Sequence, residues 1–138
     1  MLAEDDPDMR WLLSMSLRKE GYEVIEVRDG AELRAKVRTQ VANPKQEPQV
    51  SMIISDFRMP GATGLDVLEE LRRLEQSMPF ILITAFGDEA THEAARRLGA
   101  VVFDKPLDLE DLRTAVLYLA TALGQAVLDG PECGTTPE

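Results

Sequence analysis

The sequence is short of cysteine, of histidine and of positive charge: Cys133 and His92 are single occurrences, and basic side chains are outnumbered by acidic ones. Each shortage removes a class of protein. A lone cysteine cannot close an intrachain disulfide, which points to a reducing compartment. No apolar run is long enough to span a bilayer, and the first eight residues carry four acids where a signal peptide would be basic. The expectation is a soluble cytoplasmic domain with no membrane partner. With 15 Lys and Arg against 25 Asp and Glu, the formal net charge is -10, a field that opposes a direct grip on nucleic acid phosphates. What is present is 138 residues, one domain's worth and enough to bury a core.

The most informative stretch is MIISDFRMPG, residues 52–61. Met52, Ile53 and Ile54 form a short continuous apolar run, which suits a strand covered on both faces in a parallel sheet. The run stops at Asp56, and Met59-Pro60-Gly61 turns the chain away. Upstream, the apolar stub Leu2-Ala3 runs into Glu4-Asp5-Asp6 and Pro7. Asp6 can cap a helix that has Pro7 at its first position, leaving Glu4 and Asp5 with no evident structural use. That helix is expected to reach about Glu20, with Met9, Leu12, Leu13, Ser16 and Leu17 on one face, Trp11 partly exposed outside it, and Gly21 as its stop.

Tyr22 to Val27 reads as a second strand, and Asp29 with Glu32 resembles a capping box opening a helix from Ala31 to Val41. Residues 42–49 hold two prolines and read as a surface connection. Leucines at 65, 68, 71 and 74 mark a third helix, and Phe80 to Ile83 a buried strand that ends at Thr84-Ala85. The helix from Glu89 to Leu98 offers mostly alanine, at 90, 94 and 95, to its inner face, so it should be the loosest; His92 is expected on its solvated face. Val101 to Phe103 is a last strand, ending in Asp104-Lys105-Pro106. Asp108 caps a final helix with the stripe Leu109, Leu112, Val116, Leu119 and Leu123, and residues 124–138 read as a flexible tail.

Strand and helix alternate five times, which calls for an α/β doubly wound parallel sheet with helices on both faces. Glu4-Asp5, Asp56, Thr84 and Lys105 then share one address, the C-terminal ends of the strands, where open α/β sheets bind ligands. In the acidic pair, the SDxxMPG run, the threonine followed by a small residue and the Lys-Pro pair, residues 1–123 resemble the receiver domain of two-component response regulators, of the chemotaxis-regulator kind. The resemblance implies a flavodoxin-like five-stranded sheet in the order 2-1-3-4-5. It also implies that Asp56 accepts a phosphoryl group from a histidine kinase or phosphotransfer protein. Asp5 is then the direct Mg²⁺ ligand, with Glu4 acting through water and Asp56 and the Arg58 carbonyl completing the set; Lys105 neutralises phosphoryl oxygens and Thr84 donates its hydroxyl to one. A cis Lys105-Pro106 bond, a downstream protein target or output domain, and a phosphorylation-dependent homodimer belong to the same implication.

Two departures from that family are visible. Only Met1-Leu2-Ala3 precede the acidic pair, so the first strand is shortened, and Val102 stands where an aromatic is common, three residues before the lysine. By the geometry the resemblance implies, Arg58 and Phe86 occupy the positions that flank the path of a hydrolytic water, neither able to orient it, and a long-lived phosphoryl state is the expectation. The same residues bear on other function classes. An aspartyl phosphatase or mutase would carry a second Asp two residues after the first, where Arg58 stands; a receiver-like protein-binding module without phosphorylation would not need the full acid, Thr and Lys set.

Overall fold

The structure, a computed structural model, describes residues 1–85 and 89–128. Five strands and five helices alternate: β1 (Leu2–Ala3), α1 (Pro7–Lys19), β2 (Glu26–Val27), α2 (Gly30–Ala42), β3 (Ile53–Asp56), α3 (Gly64–Arg73), β4 (Phe80–Ala85), α4 (Glu89–Arg97), β5 (Val101–Lys105) and α5 (Leu109–Leu128). All strand pairs are parallel and the sheet order is β2-β1-β3-β4-β5, as expected for the doubly wound arrangement. The central β1 is only two residues long, so β2 pairs over two residues as well and begins at Glu26 rather than Tyr22. A strand exists only where a neighbour completes its ladder. At the other end, β4 and β5 run on through Ala85 and Lys105, so Thr84 and Lys105 sit inside strands.

The local signals act as read. The Asp6 side chain accepts from the Asp8 N–H with Pro7 at the first helical position, and Asp29 accepts from the Glu32 N–H. Thr63 and Asp66 cap α3 reciprocally. Inside the sheet unit, Leu33 and Val37 of α2 and Leu68 and Leu71 of α3 cluster with Ile53 and Leu82. Fully burying one such side chain stabilises by about 2 kcal/mol relative to leaving it exposed.

Several faces differ from the periodic expectation. On α1, Leu12 is exposed and Ser14 is buried, because the Ser14 hydroxyl donates to Glu26 Oε2 at 2.8 Å. On α3, Val67 takes an inner place while Leu74, past the last turn, is exposed. On α4 the buried side chains are Thr91, His92 and Ala95, with Ala90 outside. Trp11 is 63% exposed, outside the apolar face.

Residues 1–107 form one compact unit that holds the whole sheet, and α5 belongs to a second that begins at Asp108. The Asp108 carboxylate accepts from the N–H groups of Glu110 and Asp111, as a cap should. The α5 helix continues to Leu128, so the first residues assigned to the tail, from 124, are helical. Residues 129–138, the rest of that tail, and Phe86 lie outside the described residues.

Candidate functional site

The site is assembled by register. Cα partners in parallel strands share a face, and side chains alternate along each strand. Asp56 pairs with Ile83; two residues on, Ala85 pairs with Lys105. Asp56 and Lys105 therefore project to the same side, with Ile83 and the small Ala85 of β4 on that face between their strands. Thr84 and Asp104, the intervening pair, project to the other side. The geometry bears this out: Lys105 Nζ donates to Asp56 Oδ2 at 3.0 Å, spanning from the edge strand across β4 to β3.

Asp56 is buried at 5% exposure. The loop after it is held close. Pro60 O accepts from the Gly30 N–H at 2.9 Å, and Gly61 takes a φ of +92° that favours glycine. Gly64 opens α3 against the back of β3; a Cβ there would lie 2.6 Å from the Asp56 carbonyl oxygen and 2.8 Å from Ser55 Oγ. Close approach, not flexibility, is what requires glycine at 64.

β1 delivers the acid pair beside Asp56, since Ala3 pairs with Ser55. One carboxylate oxygen from each of Glu4, Asp5 and Asp56 lies within 4.8 Å of the others. Asp5 is exposed, whereas Glu4 is 2% exposed. Glu4 also has a structural use that the sequence does not reveal: its Oε2 accepts from the Asp6 N–H at 3.1 Å, fixing the entry to α1. Its carbonyl accepts from Arg10 Nη1 at 2.8 Å. Burial pushes the Glu4 carboxyl up to about 7; the Asp6 N–H and Lys105 oppose this, while the charges of Asp56 and Asp5 add to it. Lys105 is drawn down by burial but held above the ordinary lysine value by its hydrogen bond to Asp56 and the charges of Asp56, Glu4 and Asp5. Three clustered carboxylates with no nitrogen or sulfur donor suit a hard divalent cation such as Mg²⁺ or Ca²⁺.

Thr84 is buried at 2% exposure, and its hydroxyl donates to the Ala85 carbonyl at 3.2 Å, away from Asp56. Arg58 lies in the loop two residues after Asp56 with its side chain exposed. The Lys105-Pro106 peptide is cis, and so is Glu47-Pro48. His92 corrects the sequence reading: it is not solvated but 8% exposed, with Nε2 2.7 Å from Asp104 Oδ1. The signal that could have revealed it is faint, a histidine four residues before Arg96 on a helix with little else to bury.

Against known proteins, a family model described as the response regulator receiver domain matches residues 1–117. The chain is 34% identical over 117 residues to the transcriptional regulatory protein GlrR of Escherichia coli, a match covering 84% of this chain but 24% of that protein. It is 26% identical over 117 residues to the sporulation initiation phosphotransferase F of Bacillus subtilis, covering 84% of this chain and 88% of that one. A solved response regulator receiver domain protein from Clostridium thermocellum superimposes with a TM-score of 0.76 at 23% identity, covering 91% of this chain and 95% of that one, a likeness of fold. The chain thus spans about a quarter of the length of the regulator GlrR, and most of the length of the phosphotransferase.

Proposed function

The chain belongs to the response regulator receiver domain family, and from that premise we propose that Asp56 is its phosphoryl acceptor, served by Lys105, Thr84 and a Mg²⁺ ion at Glu4, Asp5, Asp56 and the Arg58 carbonyl. A receiver is a signalling domain of two-component systems, not a free-standing enzyme. The observation that carries the assignment of Asp56 is its 3.0 Å contact with Lys105 inside the three-carboxylate cluster at the C-terminal ends of the strands. No other carboxylate in that cluster has a cation bonded to it among the described residues.

Phosphoryl transfer asks a protein chiefly for positioning and for neutralisation of developing charge. An Asp56 carboxylate oxygen attacks phosphorus as the bond from phosphorus to the donor's imidazole nitrogen breaks, and the imidazole leaves with the electron pair. Lys105, already beside Asp56 Oδ2, moves onto the incoming phosphoryl oxygens. For the Thr84 hydroxyl to donate to a phosphoryl oxygen, it gives up its bond to the Ala85 carbonyl and the end of its strand turns toward Asp56, a movement for which the small Ala85 side chain leaves room. A divalent ion held by Glu4, Asp5, Asp56 and the Arg58 carbonyl would supply further neutralising charge to the phosphoryl oxygens. Hydrolysis returns Asp56 and inorganic phosphate.

The donor on this reading is a histidine kinase or phosphotransfer protein, and the receiver of the signal is a protein target or an output domain, with a phosphorylation-dependent homodimer as one form it can take. The acidic, single-cysteine composition supports a cytoplasmic setting, and no described helix is long and apolar enough to cross a membrane. Incubation with acetyl phosphate and Mg²⁺, followed by intact-mass spectrometry, tests the proposal. One phosphoryl group should add to the wild type, and none to Asp56→Asn or in the presence of a chelator. Equal labelling of the wild type and Asp56→Asn would overturn it.

A further inference from the structure

The face of the sheet opposite the acid cluster carries a second polar arrangement. Asp104 is the residue immediately before Lys105, so strand alternation turns the two side chains in opposite directions. Lys105 reaches Asp56, while Asp104 Oδ1 lies 2.7 Å from His92 Nε2 on α4. Because an ionised carboxylate only accepts, the ring proton of that bond sits on Nε2. On the far side of the ring, Arg96 Nη2 is 3.4 Å from Nδ1, a donor facing the remaining lone pair. The imidazole is therefore held from both sides, at 8% exposure.

β5 needs such an anchor. It is the edge strand, hydrogen-bonded to β4 alone, and its last residue must carry an ammonium group across β4 to Asp56 on β3. Its apolar attachment is partial: Val101, Val102 and Phe103 are each only partly buried, with Val102 packed against the core. The Lys105 side chain is 39% exposed, so packing does not hold it in place. The Asp104 bond to His92 is the side-chain contact next to Lys105 that ties the end of the strand to a helix.

We infer that His92 is a positioning residue: through Asp104 it fixes the C-terminal end of β5 and so sets the placement of Lys105 beside Asp56. This rests on the phosphoryl-acceptor reading of Asp56 for its consequence, though not for its geometry. The same bond makes α4 and the lysine mechanically continuous, so a displacement of either is felt by the other. Thr84, the register partner of Asp104, lies within the same segment of sheet.

His92→Phe keeps a ring but removes the donor, Asp104→Ala removes the acceptor, and His92→Gln retains a side-chain N–H of similar reach. In the unphosphorylated protein, amide exchange at residues 101–105 should quicken in the first two variants and stay near wild type in the third. The rate of labelling by acetyl phosphate at saturating Mg²⁺ should fall by about threefold to tenfold in the first two, the size expected for one hydrogen bond. The Mg²⁺ concentration giving half the rate should not rise, since the acids sit on β3 and just past β1 and lose only the competing cation of Lys105. Combining His92→Phe with Asp104→Ala should add nothing to either single loss. Wild-type exchange in His92→Phe, a defect in His92→Gln as large as in His92→Phe, or a rise of the Mg²⁺ midpoint along with the fall in rate would each overturn the inference. A wild type that takes no label would sink the acceptor reading instead, and the exchange measurements on unphosphorylated protein would still decide whether His92 holds β5.

Discussion

Glu4 is the residue whose environment departs furthest from its expected one. The sequence shows an acid in a run of three, which reads as a solvated loop; the structure buries it between β1 and the start of α1 with Asp56 and Asp5 beside it. Its folded pKa of about 7 against an ordinary 4.5 means that the folded chain keeps a proton there that the unfolded chain has released. Stability from this group is therefore full below about 4.5 and is lost as pH rises through about 7. Glu26 acts in the opposite sense and in a lower range: its pKa is lowered by the Ser14 hydroxyl and by Arg18 and Arg10, so its contribution is lost as pH falls below its ordinary value. Thermal melts in metal-free buffer should thus show stability declining between about 4.5 and about 7, and Glu4→Gln should flatten that decline. An unchanged slope in Glu4→Gln would remove Glu4 as its source. Adding Mg²⁺ should restore stability at the upper end of the range, where Glu4 is free to ionise. The placement of Asp56, Thr84 and Lys105 at the C-terminal ends of their strands was legible because each ends an apolar run in a pattern that fixes the sheet. His92 was not, since its partner Asp104 is twelve positions away and is reached only once α4 and β5 are in place.

Among the elements, the sequence reads strand and helix well wherever an apolar period meets a cap, as at Asp6-Pro7, Asp29 and Asp108. It reads strand ends poorly, because a ladder ends where the neighbour ends. β2 lost its first residues to the shortness of β1, and β4 gained Thr84 and Ala85 from pairing with β5. The helix faces erred where a hydrogen bond outweighed a periodic stripe, with Ser14 turned in for Glu26 and His92 turned in for Asp104. α4 remains the helix with the least apolar burial in the sheet unit: Ala95 is its single buried apolar side chain, against Val67, Leu68 and Leu71 on α3. Its amides, at 89–97, should exchange faster than those of α3 at 64–73, the expected ordering when few apolar contacts oppose local opening. Equal protection of the two helices would show that the polar tie to β5 compensates in full.

At the scale of the whole molecule, the sheet carries two unlike ends. Its C-terminal end carries Asp56, Thr84 and Lys105 on β3, β4 and β5, with Glu4 and Asp5 just past β1. Its N-terminal end holds a cavity of about 260 Å³ lined by Met1, Lys36, Thr39, Gln40 and Pro48 among others, with no cluster of acids. The topology was legible because parallel crossovers leave few alternatives once the strands are recognised. What the sequence could not supply was which face each end residue takes, since that follows from register: a shift of one residue would turn Lys105 away from Asp56. The most direct test of a phosphoryl site at the C-terminal end is the amide NMR spectrum of the full chain titrated with Mg²⁺ and beryllofluoride, which mimics a phosphoryl group on a carboxylate. The account predicts shifts at residues 4–5, 56–58, 84–85 and 104–105 together, spreading into α4, and none of them in Asp56→Asn; shifts that survive in Asp56→Asn, or that gather at the N-terminal end of the sheet, would contradict it.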